Sequence, residues 1–234
     1  MSKFEPFDFN QAIPIINEDT EFFPLLSQQD EDEMSNADIP EVLAILPLRN
    51  TVLFPGVVIP ITVGRDKSIK LVKDAYKGDK TIGVVSQKDM TIEDPNVEQL
   101  NKIGTVANII KVLQMPDGNT TVIIQGKQRF KLTEVIQSEP YLKAKVERFK
   151  EEKPKVNKEF KALISSIKEL ALQIIQLSPN LPSEAGIAIK NIESPTFLVN
   201  FIASNMSLEV ESKQELLEMK DFGKRAKQLL EYLT

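Results

Sequence analysis

The chain contains no histidine, no cysteine and no tryptophan, and each absence removes a class of function. Without histidine, the commonest general base near neutral pH and the commonest zinc ligand are both missing, so no Ser-His-Asp triad can be built. Without cysteine there is no disulfide framework and no thiol chemistry, which suits a reducing compartment. Without tryptophan, and with few aromatics interleaved among its basic residues, the chain offers no stacking platform for single-stranded nucleic acid. No run of about eighteen apolar residues is present to cross a membrane. The first residues also lack the basic start and continuous apolar stretch of a secretory signal. The expected location is cytoplasmic, with no membrane partner and nucleic acid an unfavoured one.

What is present suits a folded chain. Its 234 residues, 41% of them hydrophobic, can bury a sizeable core in one large domain or two small ones. Charge is unevenly placed. Residues 1–41 carry eleven Asp and Glu against one Lys, a net −10, while the whole chain is −5, which leaves +5 on residues 42–234. That weak positive charge, spread over the body, is far from the concentrated field that drives phosphate-backbone binding.

Three regions follow from pattern. Residues 1–41 mix the acidic run 30–33 with Phe4, Phe7, Phe9, Phe22 and Phe23 and hold no helical or strand period. They are expected to be an acidic, disordered tail. Residues 42–150 read as a β-rich unit with strands at 42–48, 57–63, 82–85, 105–113, 121–125, 130–136 and 141–149. One helix, 66–76, interrupts them, and a reversal lies at Pro116-Asp117-Gly118. In residues 151–234 the period changes to 3.6, with an apolar stripe over 160–174 and further helices at 183–192, 196–206, 212–219 and from 221 on. Ser194-Pro195 is a helix start, serine as cap and proline at the first helical position. The expected fold class is α+β: a mostly antiparallel β subdomain followed by an α-helical bundle.

Chemistry finds little purchase. Serine stands near lysine at Lys67-Ser68, Ser166 and Lys168, and Ser212-Lys213. A catalytic dyad, however, needs a desolvated lysine beside an exposed hydroxyl and an oxyanion hole. The carboxylate pairs Glu93-Asp94 and Glu151-Glu152 lie in charged surroundings that raise no pKa. The phosphate-binding glycine loop that ends in lysine and serine or threonine is absent, and Gly64-Arg65 and Gly126-Lys127 are isolated pairs. No calcium loop is present, so neither catalytic, cofactor nor metal residues are assigned. The lysines 67, 70 and 73, and the group Lys143, Lys145, Arg148 and Lys150, fall on the wet faces of a helix and a strand.

The stretch Ile45-Leu46-Pro47-Leu48-Arg49-Asn50-Thr51-Val52-Leu53-Phe54-Pro55-Gly56, with Val58-Ile59-Pro60 and Val63-Gly64-Arg65 after it, resembles the opening of the Lon protease N-terminal domain. The resemblance runs on through Val85-Ser86-Gln87-Lys88-Asp89, Ile103-Gly104-Thr105-Val106-Ala107, Gly126-Lys127-Gln128-Arg129-Phe130 and Lys213-Gln214-Glu215-Leu216-Leu217-Glu218, covering about residues 42–234. It implies a small barrel-like, PUA-like β part followed by helices. Full-length members continue into an ATPase, which uses ATP and Mg, and a serine-lysine peptidase. This chain is thus expected to be a fragment cut before them. The implied function is non-catalytic substrate recognition and support of hexamer assembly in a protease that degrades misfolded and regulatory proteins. The implied partners are unfolded or tagged proteins and other Lon subunits. A free-standing Lon-domain adaptor is the alternative.

Apolar residues at loop positions are the candidate contacts: Val52, Leu53, Phe54 and Pro55 after the first strand, and Met115 and Pro116 at the hairpin. Exposed together they would form a patch able to capture unfolded chain, Met lending adaptable contact. The first group reads equally as core plugs.

Overall fold

The computed structural model describes residues 28–115, 119–177 and 183–234. They fall into two compact units, one of Glu33–Lys150 and one made by the described residues up to Asp32 together with Glu151–Thr234.

The first unit is built on six strands, β1 (Val42–Leu48), β2 (Val58–Val63), β3 (Thr81–Ser86), β4 (Ile103–Gln114), β5 (Thr120–Gln137) and β6 (Lys143–Arg148). They lie in the order β2-β5-β4-β3-β1-β6, and a further pairing of β5 with β6 closes five of them into a ring from which β2 extends. All neighbours are antiparallel except β1 and β3. That parallel pair needs a crossover, which β2 and helix α2 (Asp66–Lys77) supply. Inside the ring Leu43, Ile45, Val106, Phe130, Leu132 and Val146 pack together. Each large side chain so buried contributes about 1.5–3 kcal/mol.

β5 is one strand of 18 residues where the sequence suggests two separated near Gly126. Glycine there is not a break. Gly126 N–H donates to Val57 C=O at 2.9 Å and its own carbonyl accepts from Gly56 N–H at 2.9 Å. A Cβ at this position would stand 2.3 Å from the Phe54 carbonyl oxygen. The glycine marks a close backbone approach inside a continuous strand.

The second unit holds α3 (Lys158–Leu177), α4 (Ser183–Asn191), α5 (Pro195–Asn205), α6 (Val210–Glu218) and α7 (Phe222–Leu233). α5 is buried over Phe197–Ala203, so it reads as apolar nearly all round. Ser194 Oγ accepts from Phe197 N–H at 3.1 Å, the cap that Ser194-Pro195 suggests, and Asp221 Oδ1 accepts from Lys224 N–H at 3.0 Å to cap α7.

Residues 28–36, expected to lack regular structure, form helix α1 (Gln28–Asn36). Asp30 and Glu31 sit in its first turn, where negative charge complements the free N–H groups. Within the second unit the Glu31 carboxylate accepts the Ser194 hydroxyl, and Asp32 Oδ1 lies 3.4 Å from Lys153 Nζ. The acidic run is therefore partly docked rather than wholly solvated. The phenylalanines at 4, 7, 9, 22 and 23 lie outside the described residues.

Candidate functional site

Two features of the β unit face solvent with apolar groups: a cleft where the β1–β6 ladder ends, and the outer face of the β4–β5 hairpin.

The cleft opens where the β1–β6 ladder ends. β1 and β6 pair through Val42–Lys145, Leu43–Ala144 and Ala44–Lys143, and Ile45 N–H donates to Leu142 C=O at 2.8 Å. Beyond Leu142 the chain is in the turn 138–142 that joins β5 to β6, so the ladder stops while β1 runs on through Pro47, which carries no N–H. Pro47 thereby occupies an open stretch of sheet edge, where the missing donor costs no ladder bond. A cleft of about 200 Å3 opens there, with Ile45, Pro47, Leu71, Val97 and Leu142 among its apolar walls.

One end of the cleft is polar and is formed by the start of α2. Arg65, the residue before the helix, makes no side-chain cap, and the first intrahelical bond is Ile69 N–H to Arg65 C=O at 2.8 Å. Arg65, Lys67 and Ser68 all line the cleft. Lys67 Nζ lies 2.7 Å from Asp94 Oδ2 and 2.9 Å from Glu139 Oε1. Hydrogen bonds to Asp94 and Glu139 hold its pKa above the usual lysine value. A lysine kept protonated is the wrong base for a serine nucleophile, and Ser68 is itself only 6% exposed, so Lys67-Ser68 is no dyad. Arg65 Nη2 donates to Gln87 Oε1. The Gln87 amide in turn donates to the carbonyls of Asp89 at 3.0 Å and Ile92 at 2.9 Å, which fixes the loop that carries Asp94. Burial, and then the field of Arg49, push the Arg65 guanidinium below its ordinary value.

The hairpin face rests on register. Pro60 and Lys111 pair with Ile123, and Leu113 and Thr62 with Thr121, so Pro60, Ile123, Leu113 and Met115 share the outward side of three strands with Lys111, Thr62 and Thr121. The register shifts between Ile109 and Lys111, leaving Ile110 as an extra residue that is 46% exposed. Met115 is 44% exposed, and its N–H donates to Asn119 C=O at 2.8 Å. Pro116 lies outside the described residues.

Of the other proposed contacts, Val52, Leu53 and Phe54 are corrected by burial. Val52 and Leu53 are 2% exposed and Phe54 0%, while Pro55 is half-buried. The buried Thr105 hydroxyl donates to Leu53 C=O at 2.6 Å, and Val57 N–H donates to Phe54 C=O at 3.2 Å. The first bond ties the segment to β4 and the second closes a local turn, and with their side chains buried the core-plug reading holds for Val52, Leu53 and Phe54. Sequence reasoning missed the cleft because nothing in the local pattern announces that β1 runs past the start of β6.

Among the described residues no group of acidic side chains is arranged to hold a metal ion, and no helix is long and apolar enough to cross a membrane.

Residues 42–234 match the model of the ATP-dependent protease La (LON) substrate-binding domain family. The chain is 55% identical over 226 residues to a Lon protease of Flavobacterium johnsoniae, a match covering 96% of this chain and 28% of that protein. It is 51% identical over 217 residues to a Lon protease of Cytophaga hutchinsonii, covering 92% and 27%. The chain thus spans under a third of the length of these curated relatives. Among solved structures, the N-terminal domain of a Mycobacterium avium complex Lon protease superposes with a TM-score of 0.67 at 22% identity, covering 82% of this chain and 97% of that one. The Lon N-terminal domain protein from Xanthomonas campestris gives 0.58 at 19%, covering 81% and 97%. At these identities the structural likeness speaks to fold alone.

Proposed function

Given that this chain belongs to the family of Lon substrate-binding domains, we propose that it holds polypeptide substrates for an ATP-dependent Lon protease and catalyses nothing itself. The observation that supports the reading is the row of apolar residues on the outward face of the hairpin. Met115 is exposed, the half-buried Leu113, Ile123 and Pro60 extend the same surface across three strands among Lys111, Thr121 and Thr62, and the exposed Ile110 stands at the neighbouring bulge. Such a face offers non-directional contact to unfolded chain, and methionine adapts to varied side chains. In the whole enzyme, ATP and Mg act in a separate module. Six copies around an entrance then turn weak single contacts into useful avidity for misfolded and regulatory proteins in the cytoplasm.

The test is titration of this chain, and of a Met115→Ser/Ile110→Ser variant, with an unfolded model protein and a short RNA at two salt concentrations. The expected result is salt-tolerant protein binding that weakens several-fold in the variant while its unfolding temperature stays put. Salt-sensitive RNA binding without protein binding would overturn the proposal.

A further inference from the structure

The cleft beside β1 has a polar end lined by Arg65, Lys67, Ser68 and Asp94, and of its two cations Arg65 is the one without an ion pair among the described residues. Among the described residues, no carboxylate lies within ion-pair distance of Arg65 or of the exposed Arg49, and Asp94 and Glu93 act on Arg65 only at longer range. Lys67 is already held by Asp94 and Glu139. Ser68 lines the cleft, is 6% exposed, and its hydroxyl has no hydrogen-bond partner among the described residues. The start of α2 adds N–H groups that no side chain caps. Arginine, a buried hydroxyl and a helix start in one place form a receptor for a carboxylate.

We propose that the cleft takes the C-terminal residue of a polypeptide, seating an apolar terminal side chain on the half-buried Pro47, Val97 and Leu142 and its α-carboxylate between Arg65 and the Ser68 hydroxyl. The inference rests on the reading that this unit binds polypeptides and names which part of them it recognises. Size favours a chain end. At about 200 Å3 the space is below the roughly 300–1,000 Å3 of sites for larger ligands, and it suits one residue. The sheet edge points the same way. Leu48 C=O accepts from Gln87 N–H on the β3 side, so the Pro47 carbonyl faces the opposite edge, where β6 no longer reaches. It can accept one N–H from the terminal residue, whereas the missing Pro47 donor prevents the alternating bonds that a strand passing through would need.

Binding of labelled six-residue peptides to the whole chain tests this by fluorescence anisotropy. One peptide ends in leucine with a free carboxylate, a second is its amide, and a third is an amide carrying aspartate beside the leucine. The free acid is expected to bind at least about tenfold tighter than either amide. Arg65→Gln and Ser68→Ala should each weaken it, with unfolding temperatures compared to confirm folding. Ser68→Leu, which fills the cleft, should abolish binding. Equal binding of acid and amide would overturn the proposal, as would equal binding of the aspartate amide, which would assign the site to internal acidic segments. Loss of all peptide binding while unfolded protein still binds at the hairpin would overturn it and leave the broader function intact. Loss of both would sink the two together.

Discussion

Arg225 Nη2 lies 2.5 Å from Glu151 Oε2, and the Arg225 side chain is 1% exposed. Its Nε and Nη1 find no acceptor among the described residues, although the guanidinium stands 5.0 Å from the Phe222 ring. Burial pushes the Arg225 pKa down while Glu151, and Glu31 after it, oppose that shift, so the carboxylates offset part of the cost of an interior cation.

Removing the Glu151 carboxylate should therefore cost more than an ordinary surface change. Glu151→Ala is expected to lose about 3–5 kcal/mol in urea unfolding, because a buried charge is left unpaired. Replacing both partners, as in Glu151→Leu/Arg225→Met, should recover most of that loss. A double variant as unstable as the single one would refute the account.

Glu31 predicts a pH dependence. Burial raises its pKa above 4.5, outweighing the lowering by hydrogen bonds from Ser194 and Thr196, and Glu151 and Asp32 raise it further. A carboxyl that ionises less readily when folded holds its proton more tightly in the native state. Its favourable contribution is then complete below the unfolded pKa and lost as pH rises through the folded one. Glu31→Gln should accordingly raise the unfolding temperature at pH 7, and the gain should fade below about pH 4.5. A gain that persists unchanged at pH 4 would contradict it.

Gly126→Ala should destabilise the β unit by about 1–3 kcal/mol, since the added methyl meets the Phe54 carbonyl. Thermal unfolding reads this directly. An unchanged transition would mean that the backbone yields freely there.

Phe54 and Met115 should separate stability from binding. Phe54→Ala is expected to cost about 3–5 kcal/mol, as a core deletion. Met115→Ser should stay within about 0.5 kcal/mol of the parent in stability and lose affinity for unfolded protein. Chemical denaturation beside the binding titration distinguishes them.

Most of the elements, though not α1 or the continuity of β5, and the family were legible in the sequence. Strand alternation over 143–148, the 3.6-residue period of α3 and the Ser194-Pro195 start are local signals, written in neighbouring residues. The merging of two expected strands at Gly126, the inward turn of Phe54 and the docking of Glu31 on Ser194 were decided by partners distant in sequence. The cleft belongs with these. Pro47 is left without a β6 partner only because the turn 138–142 ends the ladder, and Arg65 lacks an ion pair only because of which groups the fold brings near. Local pattern carries periodicity, but burial and electrostatic pairing depend on which side chains fill the space around a residue.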